Sequence, residues 1–344
     1  MVAILNDVTA TLASGHYLDR NCVVGFALGS GLNIAYVERT AAIENWDDRP
    51  VGYENVDFID INTEFCAIGD NGSLDFIKTQ FDFELDNESL FPGKNTFEKI
   101  ISGSYAGDLV RRVLLDLAKN GALFHGKITT QLVTYNFLTT VDCSMIESEE
   151  DHQYEKTLEI IKQLGYESHE LCEDDVNIVK YVCAVITIRG AALTALGLAT
   201  LINRIDRPRI TIAASGSTIE KHPKLATQLL DFTRDLAIGN KQIEFLLIND
   251  GAGKGGALVA AIADKFLSEL NQQKSDDAKG DDDGQNGSSQ STDSKTNPIR
   301  KLSTNRSSSL LYEPTNVPTN EALRTKLSQM YVNGKSAQRN IVKC

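Results

Sequence analysis

The sequence has no paired-cysteine spacing, no excess of positive charge and no uninterrupted apolar run of membrane length, and each absence removes a class of function. Its six cysteines (Cys22, Cys66, Cys143, Cys172, Cys183 and Cys344) contain no C-x-x-C pair, and its five histidines have no ligand-like spacing to them. A metal site made only of protein ligands is therefore not expected. Lys and Arg number 34 against 47 Asp and Glu, a formal net charge of −13. Binding to a phosphate backbone needs a clustered basic face that releases counterions, so no nucleic-acid partner is expected. The apolar start is interrupted by Asn6 and Asp7 and has no basic stretch before it. It reads as neither signal peptide nor anchor, which makes the cytoplasm the expected location. The most membrane-like stretch, 182–202, contains Arg189 and is broken by Gly190 and Gly197, so it reads as a buried helix without membrane insertion.

What is present is an ordinary globular composition, 42% hydrophobic over 344 residues, enough for a large core. Short apolar or alternating runs at 23–28, 56–61, 209–213 and 243–248 predict strands, and 2–5 predicts another that ends in Asn6-Asp7. Between them, Ile101, Tyr105, Leu109, Val113 and Leu117 recur every four residues, which predicts one long amphipathic helix. A second helix is expected at 154–164, stopped by Gly165. This ordering predicts an α/β domain over 1–270. Beyond it, Asp276, Asp277, Asp281, Asp282 and Asp283 precede Ser288, Ser289, Ser291, Thr292 and Ser294. So polar a stretch cannot bury enough surface to offset its ordering entropy. The segment 271–344 is expected to be an acidic, Ser-rich tail, disordered from about 272 to 318, with one short helix around Leu323, Leu327 and Met330.

Three glycine-rich turns follow expected strands: Gly29-Ser30-Gly31, Gly216-Ser217 after Ser215, and Gly251-Ala252-Gly253-Lys254-Gly255 after Asp250. Glycine lets a backbone approach phosphate closely, and exposed amides at a turn or helix start supply donors. None is a standard fingerprint. Ile34 occupies the last glycine position of the dinucleotide pattern, and Gly255 follows Lys254 where a P-loop has Ser or Thr. Taken singly, each reads more readily as a plain strand-to-helix turn; three in one domain bring nucleotide binding level with that reading. A second group is rich in acceptors: Asn6, Asp7, Asn33, Glu64 and Glu98. Gathered in one place, they would suit a polyhydroxyl ligand. Separately, Asp7 reads as a helix N-cap and Glu98 as an exposed helix-face residue.

These strings, in order, resemble the large domain of the hexokinase family. The resemblance runs through Leu5-Asn6-Asp7-Val8-Thr9-Ala10-Thr11, Gly29-Ser30-Gly31-Leu32-Asn33, Ile61-Asn62-Thr63-Glu64-Phe65 and Gly69-Asp70-Asn71-Gly72. It continues through Pro92-Gly93-Lys94, Phe97-Glu98-Lys99, Lys221-His222-Pro223 and Asp250-Gly251 with Gly253-Lys254-Gly255. It implies an actin-like ATPase fold of the ribonuclease-H-like type, and transfer of the ATP γ-phosphate to the 6-hydroxyl of glucose or another hexose at the entry to glycolysis. By motif match Asp7 would be the catalytic base, and Asn6, Asn33, Glu64 and Glu98 would bind the sugar. Gly29, Ser30, Gly31, Gly216, Ser217, Gly251, Gly253 and Lys254 would surround ATP, with Mg²⁺ carried on its phosphates.

The departures from the family pattern are specific. Ser30 stands where the family has Thr, Ser215 where it has Asp, Ala252 where it has Ser, and Phe65-Cys66 where it has Trp-Gly. A weaker hold on ATP is implied by the second and third. Neither an Asp-x-Gly-Gly-Thr phosphate loop nor the small-domain sugar contacts occur in the sequence. Two expectations follow: a sugar kinase, or a catalytically inactive hexokinase-like protein that senses a ligand or binds a protein partner through an exposed domain interface or the tail.

Overall fold

The computed structural model describes residues 4–43, 56–150 and 152–280. Strands β1 (Cys22–Leu28), β2 (Leu32–Arg39), β3 (Phe58–Asn62), β4 (Arg209–Ser215) and β5 (Gln242–Leu247) form one mixed sheet, in the order β3-β2-β1-β4-β5. β1 pairs antiparallel with β2 and parallel with β4, and β4 pairs parallel with β5. The helices are α1 (Asp7–Leu18), α2 (Gln80–Glu88), α3 (Glu98–Ile101), α4 (Ala106–Lys119), α5 (Thr130–Val133) and α6 (Thr140–Glu147). They continue with α7 (Glu155–Gln163), α8 (Glu173–Arg204), α9 (Ser217–Lys221), α10 (Leu225–Leu236) and α11 (Gly251–Gly280).

The central strands β1, β2 and β4 alternate between two buried faces, as a period of two requires, while the edge strands β3 and β5 are exposed or half-buried along most of their length. Val24, Phe26 and Leu28 of β1, Ile34 of β2, and Ile210 and Ile212 of β4 meet Ala195, Leu198 and Ile202 of α8 and Leu229 of α10. On the other face Ala35 and Ala213 pack with Val8 and Leu12 of α1. Gly25 faces this second layer because α1 crosses too closely for a side chain: a Cβ there would stand 2.7 Å from the Val8 carbonyl oxygen. A separate core joins α4, α6, α7 and the first half of α8 through Leu114, Ile146, Ile160 and Val179.

Among the described residues, α8 is long and apolar enough to cross a membrane, but its second half lies in the sheet core and its first half in the helical one. Arg189, in the middle of that apolar run, forms a two-pronged ion pair with the buried Asp82, at 2.8 and 2.9 Å. Gly190 and Gly197 do not break α8, and each is a contact point. A Cβ at Gly190 would lie 2.9 Å from Ile101 Cγ1, and one at Gly197 would lie 2.0 Å from Phe65 Cζ.

Several expectations need correction. Ile4 and Leu5 form no strand, residues 2 and 3 lie outside the described residues, and the chain enters α1 directly at Asp7. The single helix expected through Ile101 and Leu117 is two, because the Ser102 N–H closes α3 on the Glu98 carbonyl before α4 starts at Ala106. β2 was not expected as a strand. The acidic stretch expected to be disordered from about 272 continues α11 as far as Gly280, since adding residues to an existing helix costs less than starting one. The chain divides into units Met1–Asp264 and Lys265–Cys344. The remainder of the tail and the helix expected around Leu323 lie outside the described residues.

Gly197→Ala separates packing from propensity. Helix propensity alone favours the alanine by about 1 kcal/mol. Overfilling the contact with Phe65 costs about 1–3 kcal/mol. We expect a net loss of stability, read as a lower urea midpoint at unchanged slope; a raised midpoint would contradict the packing argument.

Candidate active site at the carboxyl edge of the sheet

Parallel pairing places the ends of three strands on one edge. Ala27 of β1 lies opposite Ser215 of β4, and Ala214 of β4 lies opposite Leu247 of β5, so the three glycine turns leave the sheet on the same side. Their approach is close: a Cβ on Gly29 would be 3.6 Å from the Ser217 nitrogen, and one on Gly251 would be 3.3 Å from Ser215 Cβ and 3.1 Å from Thr11 of α1. Gly216, at φ 123°, takes a conformation open to glycine alone, with the Leu28 carbonyl against it. Crevices at the carboxyl ends of parallel strands are where open α/β sheets hold ligands.

Asn6 is the cap of α1, its Oδ1 accepting from the Val8 N–H at 3.0 Å, and Asp7 is the exposed first helical residue. Asp7 Oδ1 accepts from the same N–H at 2.7 Å, and the Thr11 hydroxyl donates to the Asp7 carbonyl at 3.0 Å. The cap role considered for Asp7 therefore falls to its neighbour.

A second group forms where β2 begins. Asn33 Nδ2 donates to Asn62 Oδ1 at 2.9 Å, and Asn62 Nδ2 donates to Glu64 Oε1 at 2.7 Å. Asn33 Oδ1 accepts from the Phe65 N–H at 3.1 Å. Glu64 is held at φ 48°, a left-handed conformation that side chains seldom adopt. Glu98 arrives from α3 and accepts from the Leu32 N–H at 3.2 Å, over Gly31, where a Cβ would stand 2.7 Å from its Oε2. Glu98 is half-buried, not the exposed helix-face residue that its sequence context allowed. Asp70 fixes the approach of Glu98 by accepting from the Asn95 and Thr96 N–H groups. The structure thus joins Asn33 and Glu64 in one chain of hydrogen bonds and sets Glu98 over the turn beside it. No hydrogen bond among the described residues joins Asn6 or Asp7 to that chain. Asn62, its middle member, was quoted in a motif but not singled out; its place opposite Ala35 on β3 gives it this role.

Beside the first two turns lies a cavity of about 560 Å³, lined by Ser30, Thr140, Ser217, Thr218, Lys221 and His222, among others. That is within the range of small-ligand pockets. Gly251, Gly253 and Lys254 do not line it, and Lys254 Nζ turns back onto the Asn249 carbonyl at 2.7 Å. Thr140 and Lys221 were not expected there, because nothing local in sequence reports that α6 faces α9.

His222 is anchored from behind. Its Nδ1 accepts from the Lys224 and Leu225 N–H groups, which leaves Nε2 to donate to Glu147 Oε1 at 3.3 Å. The Thr187 hydroxyl donates to the same oxygen, while the buried Oε2 of Glu147 has no protein partner.

The described residues also hold one group of potential metal ligands that sequence spacing did not signal. His125, Cys172 and Asp175 place ligand atoms within 4.8 Å of one another.

Residues 23–262 match the family model described as hexokinase. Hexokinase-1 of Homo sapiens is 38% identical over 278 residues, covering 79% of this chain and 29% of that protein. Hexokinase-2 of Equus caballus is 39% identical over 269 residues, covering 76% and 28%. Among solved structures, hexokinase from Schistosoma mansoni complexed with glucose matches at TM-score 0.70 and 35% identity, over 75% of this chain and 57% of that one. A further hexokinase crystal structure, at 24% identity and TM-score 0.63, shares the fold. The chain spans under a third of those curated relatives' length and a little over half of the glucose-bound structure.

Two measurements test this geometry. Burial pushes the Glu98 carboxyl above its ordinary value of 4.5, with the Leu32 N–H and Lys99 only partly opposing it. Because the folded carboxyl holds its proton to higher pH than the unfolded one, the stability it contributes is present below 4.5 and is lost as pH rises through the raised value. Glu98→Gln is therefore expected to be more stable than the wild type at neutral pH, with the gap closing on acidification; a gap that widens in acid would refute this. Glu147→Ala strands the His222 and Thr187 donors, at a cost of about 1–3 kcal/mol. Its urea midpoint should fall accordingly.

Proposed function

The chain belongs to the hexokinase family, and we propose from that membership that it binds a hexose and Mg-ATP and moves the γ-phosphoryl group to the sugar 6-hydroxyl. The observation that carries this reading is an adjacency. A cavity lined by Ser30 and Ser217 adjoins a turn after which the same hairpin supplies Asn33, the start of the Asn33-Asn62-Glu64 chain.

The acceptor set suits a polyol. Carboxylate oxygens of Glu64 and Glu98 accept from sugar hydroxyls, while Asn33 and Asn6 offer both an amide donor and an acceptor. Glucose bound to the Schistosoma mansoni relative supports a hexose as the ligand. Asp7 acts as general base: its carboxylate takes the hydroxyl proton as the sugar oxygen bonds to the γ-phosphorus and the bond from that phosphorus to the bridging oxygen breaks, releasing ADP. Ser30, Ser217 and Lys221 line the cavity that would take the phosphates, whereas Gly29, Gly31 and Gly216 do not, and the Gly29 N–H is already donated to the Gly31 carbonyl. The residues present fit such an anion, since the Lys221 cation and the hydroxyl-bearing residues Ser30, Ser217 and Thr218 line one cavity, while Gly216 lets the second turn pack against the first. Mg²⁺, arriving with ATP, would supply charge neutralisation at the phosphates there.

The test is formation of glucose 6-phosphate from glucose and Mg-ATP by the full chain, beside Asp7→Asn. Loss of a general base lowers turnover by about 10²- to 10⁴-fold. We expect that loss with glucose binding retained in calorimetry. Equal rates in the two proteins, or no product from folded wild type, would sink the proposal.

A further inference from the structure

None of His125, Cys172 and Asp175 lines the cavity or joins the acceptor hydrogen bonds, and the function proposed above makes no use of them. Asp175 is the third residue of α8, 4% exposed, and both of its oxygens are engaged. Oδ1 accepts from the Phe124 N–H at 2.8 Å. Oδ2 accepts from the Cys172 N–H at 2.9 Å and from the Cys172 thiol at 3.1 Å. One buried carboxylate therefore positions two segments that are far apart in sequence: the cap of α8, where Cys172 sits, and the turn that carries His125.

That turn is unusual. Phe124, His125 and Gly126 have φ of 53°, 50° and 81°, three successive residues in the left-handed region. Only the last is a glycine. The turn is pinned by the Asp175 bond and by Phe124 stacking on the buried Tyr166, ring centroids 3.9 Å apart. The result points an exposed imidazole and an exposed thiol at the same carboxylate, all ligand atoms within 4.8 Å.

We propose that His125, Cys172 and Asp175 form a binding site for a divalent cation of the zinc class. Imidazole nitrogen, thiolate sulfur and carboxylate oxygen together match zinc and exclude the all-oxygen preference of Mg²⁺ and Ca²⁺. Tetrahedral coordination at the usual bond lengths wants ligand atoms about 3.5 Å apart. The ligand atoms lie within 4.8 Å of one another, and closing to the tetrahedral spacing falls to rotation of the exposed imidazole and thiol side chains. On binding, the sulfur–metal bond replaces the S–H bond and the thiol proton passes to solvent, while the spare lone pairs of Asp175 take the metal. The Phe124 and Cys172 N–H groups remain on the carboxylate as the outer support that orients a metal ligand. Three protein ligands leave the fourth position to water.

The test uses the full chain with Zn²⁺ alone and with Co²⁺ as the optical probe. Calorimetry and native mass spectrometry should give one tightly bound Zn²⁺ per chain, and the cobalt form a thiolate charge-transfer band. Cys172→Ser should abolish that band. His125→Gly, which suits the left-handed backbone and so keeps the fold, should weaken Zn²⁺ binding at least tenfold and abolish the rise in melting temperature that Zn²⁺ gives the wild type. No stoichiometric binding, or binding equal to wild type in both variants, would overturn the proposal.

Discussion

Helix α8 is the element on which the site depends, because it is buried in two cores at once. Val179 and Cys183 belong to the helical core, and Ala195, Leu198 and Ile202 to the core under the sheet. A helix apolar on most faces needs such surroundings, and the one charge within its apolar run is neutralised by Asp82. Its far end is tied to β2, where Arg204 donates to Glu38 at 2.8 Å and Tyr36 donates to the same oxygen. The two glycines of α8 transmit this rigidity. Gly190 receives Ile101, three residues beyond Glu98, and Gly197 receives Phe65, the neighbour of Glu64. Both acceptor carboxylates are therefore placed from beneath by the same helix. Phe65 and Phe97 complete the support by packing edge to face at 4.8 Å.

Strand direction sets the rest. Parallel pairing of β1, β4 and β5 brings three turns to one edge, and the antiparallel hairpin from β1 to β2 returns the chain so that Asn33 lies opposite Ala27. The cavity and the acceptor chain share a single hairpin: Ser30 lines the cavity and Asn33 begins the chain.

Much of this was legible in sequence. Four of the five strands among the described residues announced themselves by composition, as short apolar or alternating runs. The glycine turns and the acceptor residues were legible as types. What was not legible is what depends on contact. β2 begins Leu32-Asn33 directly after a glycine turn and reads as part of it. The break between α3 and α4 is invisible to periodicity, because Ile101 and Tyr105 keep their four-residue spacing across it. Gly190 and Gly197 look like helix breakers until Ile101 and Phe65 are seen against them. Asn62 looks like any polar residue until pairing of β2 with β3 sets it between Asn33 and Glu64. His125 and Cys172 are far apart along the chain, so no motif spacing could join them, and they meet only through Asp175.

The acceptor groups are also prepared at some cost to the fold. Glu98 is half-buried with its strongest opposing influence a backbone N–H, and burial holds its carboxyl above the ordinary range. Glu64 occupies a strained backbone conformation, with its Oε1 held by the amide of Asn62. A fold selected for stability alone would relax both, by pairing the first with a cation and placing glycine at the second. Each unrelaxed feature instead keeps a carboxylate oriented and short of partners, and a ligand of the class proposed above would gain from groups already in position, without the entropy loss of ordering them. The same logic explains why the polar chain runs through asparagines. An amide can donate to Glu64 and accept from Asn33 at once, fixing direction along the chain without neutralising the charge that the ligand is to meet.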